Sequence, residues 1–187
     1  MPDPSPLPQG IYLEYKPAGP AFQHLYLVYR DGAGGDFVIR GGPVSTTNPL
    51  NNLFPLTVNA GDLLSLTKDA YGLGESAATR GALLVSGGPV SHTIFWQNMV
   101  PDATIINNAT IPYGASLSTG LISVSNTVVS ATLARSGFDV NVLLKSIGLS
   151  WWDVPGATNL LPNLFPSNQF QQNQLQPLNN NWSPRSL

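Results

Sequence analysis

The sequence segment that most constrains the fold is 22–43, FQHLYLVYRDGAGGDFVIRGGP. An apolar run rich in aromatic and branched residues begins at His24, and the Arg-Asp-Gly-Ala-Gly-Gly that follows it is a strong turn signal. A second run, 37–40, stops at Gly-Gly-Pro, because proline cannot donate a hydrogen bond to a sheet ladder. The segment therefore predicts a β-hairpin, with a histidine at the start of one strand and Arg40 at the end of the next.

The remaining elements predict an α+β fold, a small antiparallel sheet packed with a few helices. Three further segments have strand character: 11–15, 62–67 and 81–86. The Asn- and Pro-rich stretch 44–60 predicts a long loop, and 95–107 is mildly helical, although Pro101 favours a kink or two short helices. The clearest helix begins near Ser123 and stops at Gly137, and a second follows from Asp139 to Gly148.

The chain of 187 residues is long enough for one domain with a substantial core and too short to expect two. The proline-rich residues 1–9 predict a flexible N-terminal segment, and residues 10–155 a single α+β domain of catalytic type. From Trp151 onward the composition shifts to Pro, Asn and Gln with scattered apolar residues. Residues 156–187 are therefore expected to form an extended or partly disordered tail.

Composition excludes several classes of function. Charged residues make up 10% of the chain and the net charge is −2, so nucleic acid and anionic membrane surfaces are not expected partners. There are no cysteines, which excludes disulfides and thiolate chemistry. No histidine pair has metal-ligand spacing and no glycine-rich loop has a nucleotide-binding pattern, so neither a metal nor a cofactor is expected.

The sequence also bears on location. No apolar run approaches the length of a transmembrane segment, and the N-terminus lacks the basic and apolar regions of a classical signal peptide. The expectation is a soluble protein made in the cytoplasm, with any export depending on a dedicated secretion system.

Two short segments resemble a known group of enzymes. His24 opens a strand, the next strand ends in FVIRGGP, and about a hundred residues later VSNTVV spans 124–129. These segments resemble the circularly permuted papain-like hydrolases, which include the permuted NlpC-type peptidases and the lecithin retinol acyltransferase relatives. The resemblance implies a permuted papain-like arrangement, whereas the Pro- and Asn-rich composition after Trp151 predicts an irregular C-terminal strap that packs on the domain. It places His24 on the family's histidine, Arg40 on its second polar residue and Ser125 on its nucleophilic cysteine. Serine for cysteine, Val124 for the preceding asparagine, and Arg40 itself depart from the family pattern.

His24, Arg40 and Ser125 also form a chemically reasonable catalytic set when the resemblance is left aside. A hydroxyl at a helix N-terminus lies beside backbone N–H groups and the positive end of the helix dipole, which stabilise developing negative charge. A strand-borne histidine would act as its general base, and Arg40 would orient that base or hold an anionic group. Simpler roles are also open: a helix cap for Ser125, a surface position for His24 and an ordinary ion pair for Arg40.

Two other features remain open at the sequence level. His92 either faces the rim of the core or takes part in catalysis. Trp151 and Trp152 either line a substrate groove or close over the core.

The function expected from the resemblance is a hydrolase or acyltransferase that cleaves an amide or ester bond through a Ser125–His24 dyad. The substrate would be a peptidoglycan peptide or a lipid ester. The protein would act as an antibacterial effector, that is, a bacterial toxin whose partner is a delivery or immunity protein. Two other classes remain: a catalytically degenerate binding module of the same fold, and a structural component of a phage or secretion apparatus.

Overall fold

The computed structural model describes residues 7–18, 22–43, 56–87, 91–111, 113–115, 122–123, 125–161 and 164–165. The architecture is α+β, as predicted: one open five-stranded antiparallel sheet, a short hairpin and three helices within these residues. The strands of the large sheet are β1 Gly10–Pro17, β2 Gln23–Arg30, β3 Asp36–Pro43, β4 Leu56–Leu63 and β5 Leu83–Gly87. The hairpin consists of β6 Gly114–Ala115 and β7 Ile122–Ser123, and the helices are α1 Ser91–Asn108, α2 Ser125–Arg135 and α3 Val140–Ser146.

The predicted hairpin lies at the centre of the sheet, whose strand order is β4-β3-β2-β1-β5. Every pair of neighbouring strands is antiparallel. Strand β2 therefore has a partner on both sides, β1 along its whole length and β3 along the half that leads into the turn. On the side that faces β3, the first half of β2 therefore has no strand partner and can contact another element.

The predicted strand at 62–67 is wrong in its position. Strand β4 begins at Leu56, inside the stretch predicted as a loop, and Leu64–Leu66 forms a 3-10 turn. Gly61 explains the difference: it is the extra residue of a β-bulge against β3, with φ +84°, so a glycine typical of loops here serves a strand. Residues 44–55 of the predicted loop lie outside the described part of the chain.

The main core lies between one face of the sheet and the helices. Odd-numbered side chains of β1 and β2, such as Leu13, Leu25 and Leu27, pack on this face with residues of α1 and α2. Helix α1 is a single helix with Pro101 inside it, so the alternative of two short helices is wrong. The last segments join the same core through Val154, Ala157, Leu161 and Phe165.

The opposite face of the sheet carries a buried polar network that holds down the segment 64–82. Arg30 donates to Glu14 at 2.7 Å and to the Tyr71 hydroxyl at 2.6 Å, and Arg80 donates to the Tyr26 hydroxyl at 2.9 Å. Burial raises the pKa of Glu14, although the charge of Arg30 and several hydrogen bonds act in the opposite direction. Because buried polar groups are stable only when they are paired, this network fixes the loop that follows β4 against the sheet.

The two chain ends are only partly described. Residues 1–6 lie outside the described range, and Tyr12 donates a hydrogen bond to the Pro8 carbonyl at 2.7 Å. Of the predicted tail, 156–161 and 164–165 are described, and Ala157, Leu161 and Phe165 are buried. Residues 166–187 lie outside the described range, as do 162–163.

Candidate active site

The start of helix α2 fills the gap between the central strands. Pairing of β2 with β3 covers only Leu27–Arg30 with Asp36–Ile39, although both strands continue beyond it. The Asn126 amide bridges to the β2 backbone there: it accepts from the Leu25 N–H at 2.7 Å and donates to the Gln23 carbonyl at 2.9 Å. Asn126 thus replaces part of the missing sheet ladder and fixes the first turn of α2 beside His24.

Glycine at position 41 permits this close approach of helix and sheet. A Cβ atom there would lie 2.9 Å from the Cα of Ser125 and 2.6 Å from a methyl carbon of Val128. Real Cβ atoms essentially never come this close to other atoms, so any side chain would displace the helix start. Gly41 near the end of β3 is therefore needed for the helix that docks against the strand.

The structure brings His24 and Ser125 into direct contact. His24 Nδ1 lies 2.8 Å from the Ser125 hydroxyl, across 101 residues of sequence. On the other side of the ring, His24 Nε2 lies 3.1 Å from a carboxylate oxygen of Asp69. Asp69 is fully buried and His24 is 7% exposed, whereas Ser125 is half-buried. The three side chains form a continuous serine, histidine and carboxylate chain, with the hydroxyl at the end nearer to solvent.

The charge state of Asp69 sets the tautomer of His24. Burial acts to raise the pKa of Asp69, but the hydrogen bond and charge of His24, the charge of Arg40 and the hydrogen bond of Lys16 outweigh it, so that this pKa lies well below its usual value. An ionised carboxylate only accepts hydrogen bonds, so His24 Nε2 must carry the proton that it shares with Asp69. In the neutral ring, Nδ1 then presents its lone pair to Ser125, which is the arrangement that a general base needs.

Arg40 lies at the site, but it acts on the carboxylate and not on the imidazole. Its Nε donates to the same oxygen of Asp69 that His24 contacts, and Lys16 Nζ lies 2.6 Å from the other oxygen. Lys16 is the residue directly opposite His24 in the pairing of β1 with β2. Two cations thus hold Asp69 in place from both sides, and Arg40 orients the histidine through that carboxylate.

The first turn of α2 also provides the electrostatic conditions for a nucleophile. Ser125 is the first residue of the helix, and the first turn contains no acidic residue that would offset the positive end of the dipole. The Tyr113 hydroxyl lies beside Ser125, whose side chain and backbone N–H both act to lower the pKa of Tyr113. Burial raises the pKa of Tyr113, so its hydroxyl remains protonated beside the serine.

His92 does not belong to this site. It is buried at the start of α1, where its ring lies 5.9 Å from that of Tyr29. Tyr29 is five residues along β2 from His24, a distance of about 16 Å in an extended strand. Of the two readings of His92, the structure therefore supports the one in the core. Trp151 and Trp152 are 47% and 69% exposed, so they do not close over the core.

A cavity of about 550 Å³ also lies away from the site. It lies at the other end of β2 from His24 and is lined by Arg30 and Tyr71 of the buried network, by Asp36, which pairs with Arg30, and by glycines of the turn after β2. Among the described residues, no group of three or more His, Cys, Asp or Glu side chains is arranged to hold a metal ion. Nor is any helix in the described ranges long and apolar enough to cross a membrane.

Sequence reasoning missed Asp69, Lys16 and Tyr113. Asp69 lies in a polar loop, where a carboxylate is ordinarily solvated, and 45 residues separate it from His24. Lys16 had a usable signal, because the antiparallel pairing of β1 with β2 puts it opposite His24 on the same face of the sheet. Tyr113 reaches the helix start because Gly114, the next residue, pairs with Ser123 in the short hairpin.

No protein-family model, curated protein or solved structure matches this chain. The class of site is therefore defined by its geometry: a hydroxyl at a helix N-terminus, a histidine in contact with it, and a buried carboxylate behind the histidine.

Proposed function

We propose that this chain is a serine hydrolase or acyltransferase that cleaves an amide or ester bond through Ser125, His24 and Asp69. The observation that carries the proposal is the 2.8 Å contact from His24 Nδ1 to the Ser125 hydroxyl, with Asp69 3.1 Å from the other ring nitrogen. Activated nucleophiles are recognised by this relation of hydroxyl, base and orienting group, independently of fold and chain order.

The reaction follows from the contacts. Ser125 Oγ attacks the carbonyl carbon of the substrate while its proton passes to His24 Nδ1, and the carbonyl oxygen becomes an oxyanion. Asp69 stabilises the imidazolium through Nε2–H, and the N–H groups of the first turn of α2 stabilise the oxyanion. The tetrahedral intermediate expels its alcohol or amine, which takes the proton from His24. Water, or an acceptor alcohol or amine in the case of transfer, then releases the acyl group from Ser125 by the same steps in reverse order.

The two cations at Asp69 make a serine workable in place of a thiol. A serine hydroxyl is far less acidic than a cysteine thiol, so it depends more on a well-placed base. Arg40 and Lys16 hold the carboxylate ionised and in position, and the carboxylate keeps the base in the correct tautomer. This support behind His24 favours retained activity over degeneration.

A permuted papain-like arrangement with a C-terminal strap remains the fold relationship that we propose. It is supported by the chain order, with the histidine strand ahead of the helix that carries the nucleophile, and by the burial of Ala157, Leu161 and Phe165 after the last helix. The substrates carried over from the resemblance are a peptidoglycan peptide or a lipid ester. A bacterial effector exported by a dedicated system, with a delivery or immunity protein as partner, is carried over on the same basis.

One observation favours the second candidate, a binding module without catalysis. The Tyr113 hydroxyl lies beside the Ser125 backbone N–H, a donor that an oxyanion would need. In an active enzyme Tyr113 must move aside when substrate binds, or donate its own proton to the oxyanion. In a binding module it would stay in place.

The test compares the wild type with Ser125→Ala, His24→Ala and Asp139→Asn on cell-wall peptides and on esters. Asp139 is an exposed helix cap whose replacement by asparagine preserves the cap, so this variant is the matched control. We expect turnover by the wild type and the control, and a loss of at least about 10³-fold in the other two. Equal activity in all four proteins would exclude the mechanism, and turnover by none of them would favour the binding module.

A further inference from the structure

The proposed function does not use the cavity of about 550 Å³ at the end of β2. The cavity lies at Arg30, whereas His24 lies near the start of the same strand, about 20 Å away in an extended chain. Its volume falls within the range of about 300–1,000 Å³ that is usual for sites of small organic ligands. The cavity is therefore a candidate second binding site, and the side chains that line it decide what it would bind.

Hydrogen bonds fix the three segments that surround the cavity. The Tyr12 hydroxyl donates to the Pro8 carbonyl at 2.7 Å and holds the segment before β1. In the turn after β2, two backbone N–H groups donate to the Asp31 carboxylate at 2.7 and 2.8 Å. The third segment follows β4, where the Tyr71 hydroxyl accepts from Arg30 at 2.6 Å. The cavity is thus preformed, so binding would not require these segments to be ordered first.

Two ion pairs at the cavity have their carboxylates toward solvent. Arg30 pairs with Asp36, and Arg80 pairs with Glu75. The exposed fraction of the side chain is 10% and 4% for the two arginines, but 32% and 42% for the two carboxylates, both of which line the cavity. One oxygen of each carboxylate contacts its arginine, and the other has no hydrogen-bond partner within the described part of the chain. A ligand therefore meets two negatively charged acceptors, which favour a cation that donates hydrogen bonds.

The cavity also has a buried donor without a partner. Arg30 is 8% exposed, and its Nε has no hydrogen-bond partner, although both of its other nitrogens have one. A buried donor without a partner destabilises the folded protein, and an acceptor on a ligand would remove that cost. This acceptor is expected to be neutral, because Asp36 and Glu75 would repel a further carboxylate. Gln9 and Ser76 also line the cavity, but their side chains can donate or accept and so do not select between ligands.

We propose that this cavity binds a small primary amine that carries a neutral oxygen acceptor and an apolar group, as an amino alcohol does. The ammonium group would donate to the free oxygens of Asp36 and Glu75, and the neutral oxygen would accept from Arg30 Nε. The apolar group would contact the apolar part of the lining, which consists of Leu7, Pro8, Ala77 and Ala78. The proposal goes beyond the proposed function and does not depend on it.

The experiment is an NMR titration of the isotope-labelled full-length protein with L-leucinol, which has all three groups. Isoamylamine lacks the hydroxymethyl group, isohexanol lacks the amine, and L-leucine has a carboxylate in place of the hydroxymethyl group. We expect saturable binding of L-leucinol with a Kd of about 1 mM or lower, and shifts concentrated in the backbone N–H signals of 32–35 and 75–78. Each of the three analogues should bind at least about fivefold more weakly.

Two variants replace only the oxygens that would face the ligand. Asp36→Asn and Glu75→Gln can each keep one oxygen on the arginine and place an NH₂ group where the free oxygen was. Each should weaken binding of L-leucinol at least about fivefold, and the control Asp139→Asn should leave it unchanged. Ala78→Trp, at an exposed position of the lining, fills the cavity without changing a charge and should abolish binding. The same spectra report whether each variant is folded.

Several results would overturn the inference. They are the absence of saturable shifts with L-leucinol, shifts that lie away from the cavity, and unchanged affinity in the folded variants. Binding of L-leucine as tight as that of L-leucinol would also overturn it, because the cavity would then accept a carboxylate. None of these outcomes bears on Ser125, so the proposed function is tested separately.

Discussion

Replacing Asp69 by asparagine tests the chain of contacts behind the nucleophile. Asp69 accepts from His24 and Arg40 on one oxygen, and Lys16 forms an ion pair with the other. The amide of the introduced asparagine can face its oxygen toward His24 and Arg40 only if its NH₂ group faces Lys16. Lys16 is partly exposed and can turn to solvent, whereas an NH₂ group facing the Arg40 N–H would leave two donors opposed. We therefore expect the amide to keep its oxygen toward His24, and His24 to keep its tautomer.

The expected loss then comes from charge alone. In the transition state His24 is an imidazolium whose Nε2 lies about 3 Å from the position of the lost negative charge. At a separation of about 4 Å and an effective dielectric constant of about 20, that attraction amounts to about 4 kcal/mol. A loss of this size corresponds to a fall of about 10³ in kcat/KM. It is smaller than the roughly 10⁴ that accompanies a wrong tautomer in a serine protease triad.

The assay is steady-state hydrolysis of the best ester substrate, with Asp139→Asn as the control for loss of an unrelated carboxylate. The background Arg40→Met separates charge from orientation. Without Arg40 the amide is free to turn, so Asp69→Asn is expected to cost about tenfold more in that background than in the wild type. A fall of less than tenfold for Asp69→Asn in the folded wild-type background would refute the reasoning.

Three further outcomes follow from the same contacts. Gly41→Ala is expected to lower the free energy of unfolding by about 1–3 kcal/mol and to reduce activity, because the alanine methyl group would collide with the start of α2. Chemical denaturation should show a smaller effect for the control Gly42→Ala, because the nearest atoms to a methyl group there belong to the flexible end of a side chain. Ser125→Cys places the only thiol of the chain against His24. Its alkylation by iodoacetamide at pH 7, followed by mass spectrometry, should be at least about tenfold faster than that of a free cysteine. An equal rate would count against His24 as the general base. The pKa of Asp69 is lower in the folded than in the unfolded protein, so its contribution to stability is present above about pH 4 and is lost as the pH falls toward the folded value. Urea unfolding between pH 5 and 2.5 should therefore show a shallower acid-side loss in Asp69→Asn than in the wild type, and parallel curves would contradict the assignment.

Local patterns in the sequence were sufficient for the hairpin and for the helix that carries Ser125. Alternation and a glycine-rich turn predict β2 and β3, and the serine and asparagine at 125–126 favour a helix start. The contact of His24 with Ser125 was expected from a family resemblance, and the structure places the two side chains together. The hairpin and the helix could be predicted because each depends on a short segment whose residues determine the local backbone conformation.

Features that depend on residues far apart in the sequence could not be predicted from local patterns. Asp69 reaches His24 from the loop after β4, which the buried network of Arg30, Glu14 and Tyr71 joins to the sheet. The position of β4 depended on a bulge at Gly61, which has the composition of a turn. Arg40 lies close to His24 through Asp69, and its contact with that carboxylate could not be predicted without knowing the position of Asp69.

Covalent labelling by a fluorophosphonate tests the central claim most directly, because it needs no knowledge of the substrate. The reagent reacts with a serine whose hydroxyl is activated by a neighbouring base, and peptide mapping by mass spectrometry then identifies the residue. We predict one adduct per chain, at Ser125, formed at least about 10²-fold more slowly in His24→Ala. Absence of an adduct from the folded wild type, or labelling of Ser125 at the same rate without His24, would contradict the account.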